Sequence, residues 1–449
     1  LSKYITVLAV FAIFIAGAAM AQTSPNPQND DSSQGLVIPR QTFGNDVVCR
    51  EQPLQYFRPT NQCGINMFET PKENSVPFDK FKIDWGAAFT QNFQSLKHSN
   101  ATEPPIELAH IGWGFPRASA NLYLHAQLAP GIRLQLSTYL SSRHHQDTWV
   151  KDGYVQMDQS PIDLGMLNAL WERLITIKVG HMEINYGDAH FRRSDNGMGM
   201  YNPFVENYLL DAFTTEIGAE GYFRLNSVML MGAITGGELN GNVQDSQYRN
   251  LAYIWKVAYD KQVNPDLRVR MSFSNYIDNK SAANSLYRGD RAGSFYWGPL
   301  EAEPLDVASS AFSGRINPDF RNKVRAYQFN PFIKYKGLEL FGVIEHALGL
   351  RFPETEHRTW NQYAADAVYR FGADKFFAGV RYNYAEGQLR GIPGRVNVNR
   401  TQVGAGWFPL PYLLMKAEFV NQNHNDYPVD DIDYGGNFHG VTISSVLAF

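Results

Sequence analysis

From Lys80 onward the chain alternates apolar and polar side chains with a period of two. Phe81, Ile83, Trp85, Ala87, Phe89 and Phe93 fall on one face, with Lys82, Asp84, Thr90 and Asn92 on the other. That period belongs to a β-strand, and the run outlasts an ordinary globular strand. Leu122, Leu124, Ala126 and Leu128 repeat the pattern against Asn121, Tyr123, His125 and Gln127. After Pro130-Gly131, Ile132, Leu134, Leu136 and Leu140 alternate with Arg133, Gln135 and Ser137. Tyr253 to Tyr259, Leu267 to Phe273, Phe376 to Tyr384 and Leu413 to Phe419 continue it.

The connections set the topology. Short turns are expected near Pro130, Asn226, Asn264, Gly337, Ala373 and Pro409, with a longer link around 159–174. Interleaved with them are long polar segments near 97–117, 141–147, 181–213, 235–249, 277–323, 349–358, 386–395 and 421–436. The pattern predicts an all-β chain, a 16-stranded antiparallel transmembrane β-barrel over residues 80–449, with 14 or 18 strands as the neighbouring solutions. Short turns would lie on the periplasmic rim and long loops on the extracellular one. A soluble sandwich or propeller is the competing architecture, but no blade-length repeat is visible. The chain ends in an alternating strand, Val441 to Phe449, closing on an aromatic carboxy-terminus.

Composition agrees. Aromatics make up 14% of 449 residues and charged residues only 19%, while mean hydropathy stays negative at -0.33. A helical membrane protein would carry repeated apolar runs of about 20 residues. One such run exists, Tyr4 to Met20, behind Lys3 and ahead of Ala19-Met20-Ala21. It reads as a signal peptide over residues 1–21, so the mature chain is expected to be exported, and the barrel pattern then points to the bacterial cell outer membrane. Residues 22–35 are rich in Pro, Asn, Gln and Ser and form a flexible lead-in. Residues 36–79 lack clear periodicity and read as an N-terminal extension or plug. The two cysteines, Cys49 and Cys63, lie there. A disulfide between them suits an oxidising compartment, two reduced thiols being the alternative. A net charge of -4 leaves no basic footprint for nucleic acid.

The polar faces mix signs, Lys82 with Asp84, Asp366 with Arg370, Lys416 with Glu418. The segment Val179-Gly180-His181-Met182-Glu183-Ile184-Asn185-Tyr186-Gly187-Asp188, followed by Phe191 to Gly197 and Tyr201 to Phe204, resembles porins of the phosphate-selective O and P type. The resemblance covers most of residues 80–449. It implies a sixteen-stranded barrel, commonly a homotrimer, passing small solutes. The partners would be outer-membrane lipid and lipopolysaccharide, with small hydrophilic solutes or ions as cargo.

A barrel of this size leaves an aqueous channel unless something narrows it. The segment 181–213 is the expected constriction, with Glu183, Asp188, His190, Arg192, Arg193 and Asp195 as opposed charges across the pore. Arg133, Lys178, Arg268, Arg270 and Arg381 are expected to line the lumen. The function read from this is passive diffusion of ions and small hydrophilic solutes; a plugged substrate-specific transporter or a surface-binding barrel is the alternative. No cofactor and no enzymatic activity are expected, since neither G-x-S-x-G nor H-E-x-x-H occurs, and Ser194 beside His190 is a chance pairing. No metal site is expected either. Asp426, Asp430, Asp431 and Asp433 match no EF-hand spacing, and His144 and His145 with Asp147 read as loop polarity.

Overall fold

A computed structural model describes residues 53–72, 76–144, 147–239, 246–248 and 250–449. Sixteen antiparallel strands close into one barrel, each paired with its neighbours in sequence and the last with the first. In chain order they are β1 (Lys82–Ser99), β2 (Trp113–Ala129), β3 (Ile132–Ser141), β4 (Trp149–Met157), β5 (Ile175–Glu183) and β6 (Thr215–Leu225). Then come β7 (Val228–Thr235), β8 (Ala252–Asn264), β9 (Leu267–Asp278), β10 (Lys323–Tyr335), β11 (Leu338–Leu350) and β12 (Arg358–Phe371). The last four are β13 (Phe376–Gly387), β14 (Val396–Leu410), β15 (Leu413–Asn425) and β16 (Asn437–Ala448). A single short helix among the described residues, α1 (Leu167–Leu174), sits in the link between β4 and β5. Among the described residues no helix is long and apolar enough to cross a membrane.

The barrel is inverted relative to a soluble protein. Its large apolar side chains point out, with Trp85 62% exposed and Phe376 40%. Its charges point in, with Arg381 and Arg400 at 0%. Only an apolar surrounding rewards that arrangement. Near the short-turn rim, Tyr369, Phe371, Phe376 and Trp407 stack in series on the outer face, with centroids 5.6–6.4 Å apart. Such aromatic girdles sit at the boundary between hydrocarbon and water.

Two-residue turns join β2 to β3, β6 to β7, β8 to β9, β10 to β11 and β14 to β15, and the start of β1 and the end of β16 lie on that rim. The opposite rim carries the long connections, the largest being 184–214 and 279–322. Strand ends differ from expectation in a consistent way. Glu183 and His181 belong to β5, and residues 421–425 extend β15. The latter reads as loop in sequence because both of its faces are polar.

The signal peptide, the lead-in, Cys49 and His145 lie outside the described residues.

Candidate functional site

The lumen holds segment 184–214, fixed to wall strands on opposite sides. At one end, Asp188 takes paired hydrogen bonds from Arg270 on β9 (2.8 Å each) and an ion pair from Lys256 on β8 at 2.6 Å. Gly187 has a φ of 71°, and a Cβ there would collide with the Gln328 side chain on β10. Glycine therefore serves both the turn and the close approach. Further on, the backbone is held by side chains of the wall. Lys416 on β15 donates to the carbonyls of Gly199, Asn202 and Phe204 (2.6–2.9 Å). Glu418 accepts from Val205 N at 2.8 Å, and Asn383 and Gln362 accept from Leu209 and Leu210. Arg400 donates to the Asn207 carbonyl at 2.8 Å. On the far side Thr90 and Asn121, from β1 and β2, bind Gly197. A loop buried this deeply must find partners for its peptide groups, and the polar wall supplies them.

Segment 279–322 packs against it: Phe213 N donates to the Leu286 carbonyl (2.8 Å) and Ile316 N to that of Leu209 (2.9 Å). Residues 53–72 enter from the short-turn rim. Gln62 bonds the turn carbonyls of Pro411 and Asp374. Glu69 pairs with Arg270 at 2.9 Å and Lys256 at 3.2 Å, and Arg58 donates to the Phe191 carbonyl at 3.0 Å. Phe68 packs edge-on against Phe191 and Phe332.

Two cavities adjoin these segments among the described residues. An inner cavity of about 190 Å³ is bounded by Arg58, Glu69, Arg133, Lys151, Lys178 and Glu183, among others. An outer recess of about 520 Å³ is bounded by Trp149, Phe213, Glu238, Arg288 and Arg291, among others. Lys151, Arg193 and Asp195 also line the inner cavity. Lys151 pairs with Asp195 and with Glu183 (3.3 Å). Arg193 pairs with Asp211 at 2.6 Å and lies 3.9 Å over the Phe213 ring.

Of the residues expected at a constriction, Glu183, His190, Arg193 and Asp195 line the inner cavity. Asp188 and Arg192 do not. Asp188 is tied to Arg270, and Arg192, 1% exposed, pairs with Glu339 at 3.5 Å and Asn66. Of the expected lumen cations, Arg133 and Lys178 line the cavity. Arg268 is committed to Asp260, Arg270 to Asp188 and Glu69, and Arg381 to Asp366. Ser194 donates to the Val205 carbonyl while His190 bonds Glu183 and Asn185. In the last loop burial holds the Asp431 carboxyl above its ordinary range, against the hydrogen bond it accepts from the Asp433 backbone. Among the described residues no group of three or more His, Cys, Asp or Glu is placed to hold a metal ion.

Lys151 escapes strict alternation. The register with β3 shifts between Ser137 and Thr138, and the resulting bulge turns both Lys151 and Asp152 inward. Re-aiming a side chain is what a bulge does. Its only trace in the sequence is a pair of adjacent charges inside a strand.

No family model matches this chain, and no curated protein matches it. Solved structures do. The anion-selective porin from Comamonas acidovorans aligns at 9% identity with a TM-score of 0.50, over 82% of this chain and 100% of that one. OmpF of Salmonella typhi, in complex with daunomycin, aligns at 12% identity with a TM-score of 0.50, over 83% and 99%. The structural neighbours are outer-membrane porins and channels. At these identities the likeness is one of fold.

Proposed function

We propose that this chain is a porin of the bacterial outer membrane, passing ions and small hydrophilic solutes by passive diffusion. The observation that carries the reading is a closed barrel, apolar outside and charged inside, with a charged cavity left beside the loop that crosses it. In this reading segment 184–214 is the constriction, and Lys151, Glu183, Arg193 and Asp195 form its narrow point. The outer recess and the inner cavity are the two ends of the route. Opposed charges at such a point screen solutes by charge and dipole. Phosphate selectivity is not part of the reading, because most lumen cations are paired with carboxylates: Arg268 with Asp260, Arg270 with Asp188, Arg381 with Asp366. A modest ion preference follows. Export by residues 1–21, a Cys49–Cys63 bridge and assembly as a homotrimer belong to the same proposal.

Single-channel recording in planar bilayers, with reversal potentials in a KCl gradient, tests it. Discrete conductance steps are expected; correctly folded barrel without them refutes the pore.

A second reading is supported by the contacts of Glu69 with Arg270 and Lys256. Residues 53–72 would then be a plug, and the barrel a transporter that opens when the plug moves. Removing residues 53–72 separates the two. A pore conducts before and after, a plugged transporter only after.

A further inference from the structure

Across most of the lumen, buried cations and carboxylates sit in direct pairs. Arg270 holds Asp188, Arg381 holds Asp366 and Arg370 holds Glu339, each at 2.7–2.8 Å. One patch of wall departs from this. Arg133 on β3 and Asp152 on β4 are 4% and 3% exposed and line the same inner cavity. Among the described residues neither forms an ion pair: Arg133 donates to Gln156 at 3.0 Å, and Asp152 Oδ2 accepts from Gln135 at 3.3 Å. Arg133 Nε and Asp152 Oδ1 have no hydrogen-bond partner among the described residues. The same holds for both ring nitrogens of His125, which is buried on β2 and lines this cavity too.

The register keeps the two charges apart. Arg133 stands opposite Gln156 and Asp152 opposite Ser137, with Gln135 and Tyr154 paired on the level between. Four residues of strand put about 14 Å between the two backbone positions. Tyr154 donates to Gln135 at 3.0 Å and fixes that spacer. An isolated buried charge is costly unless something pairs it. Two of opposite sign, facing one cavity but held apart, match a molecule that carries both signs.

The other carboxylates of the cavity are already paired. Glu183 takes Lys151 and His190, Asp195 takes Lys151 and Arg193, and Glu69 takes Arg270 and Lys256. Arg58 is taken up by the Gly64 and Phe191 carbonyls. Lys178 flanks Gln156 on its other side, 3.8 Å from Glu220, and adds a second cation at the level of Arg133. A solute therefore meets a basic end at Arg133 and an acidic end at Asp152. An extended di- or tripeptide has its terminal ammonium and carboxylate about 7–10 Å apart, and side chains reaching in from the two levels complete the span. The cavity, at about 190 Å³, is smaller than the roughly 300 Å³ and more of drug-sized sites, which limits the occupant to small residues.

We infer that the inner cavity is a binding site for short zwitterionic peptides, with the carboxylate held at Arg133 and the ammonium at Asp152. The inference rests on the reading of this cavity as part of the solute's route.

The test uses the full-length protein in detergent and reads binding by saturation-transfer NMR, which does not require conduction. Three probes are titrated: triglycine, N-acetyl-triglycine without the ammonium, and triglycine amide without the carboxylate. Wild type is expected to bind triglycine about tenfold more tightly than either blocked form. Asp152→Asn is expected to lose the preference over N-acetyl-triglycine and keep that over the amide, and Arg133→Gln the reverse. Equal binding of the three probes by wild type overturns the proposal, whether or not the variants fold. So does tightest binding of N-acetyl-triglycine, which would make the cavity a plain anion site, or an ammonium preference that survives in Asp152→Asn. Conductance of the same wild-type sample answers for the pore separately. A silent barrel that still prefers triglycine keeps the peptide site and loses the passage; a conducting barrel that binds the three probes alike keeps the pore and loses the site.

Discussion

Ala87 and Phe449 exchange both backbone hydrogen bonds, 3.0 Å each way, and so fasten the last residue of the chain to the first strand. Two strand edges disappear at that seam, edges that would otherwise pair with other chains. Deleting Phe449 is expected to lower the yield of heat-modifiable barrel in the outer membrane. Unchanged yield on a semi-native gel would remove the terminal residue from assembly.

On the proposed route, Lys151 carries a charge that a passing ion would meet. Replacing it with Met leaves Glu183 and Asp195 without their shared cation. The reversal potential in a KCl gradient is expected to move toward cation preference, and the shift to shrink as salt rises. No movement in folded protein would place the route elsewhere.

Arg192 is expected to behave in the opposite way. Its guanidinium is packed against Glu339 and Asn66 away from the cavity. Arg192→Met should cost roughly 2 kcal/mol through partners left unsatisfied in a buried setting, lowering the temperature at which the barrel unfolds. Reversal potential should stay where it was, and a shift matching that of Lys151→Met would contradict this geometry.

Glu69→Gln weakens the hold on residues 53–72 by removing the charge that faces Arg270 and Lys256. Those two cations keep Asp188, so the wall should survive. Larger or noisier conductance is the expected outcome, read in single-channel traces. Traces identical to wild type would mean that this segment does not limit flow.

A thiol titration checks the cysteines. Mature protein denatured without reductant should show no reactive thiol, and two labelled thiols per chain would exclude the Cys49–Cys63 bridge.

The barrel itself was readable because lipid and water impose a period of two on every wall strand, and alternation survives at Phe81–Phe89 and Phe376–Tyr384 without knowledge of any contact. The lumen was less legible. Arg192 and Arg193 are adjacent in sequence, yet one is spent on Glu339 and the other borders the cavity. Their fates depend on which wall strand each faces, and charge alone carries no such information. The asparagines of β15 misled for a different reason: a strand that rises above the membrane loses the apolar face by which it is recognised.

Segment 184–214 touches both sides of the seam within three residues, Thr90 of β1 at Gly197 and Lys416 of β15 at Gly199. It therefore acts as a latch across the joint between the two ends of the chain. Parting the first and last strands breaks these loop contacts as well as the seam's own, so the loop adds to the barrier against opening. If those contacts form after the rate-limiting step of folding, a barrel with a loosened latch would open sooner on heating, with refolding unchanged and stability lowered by the same factor.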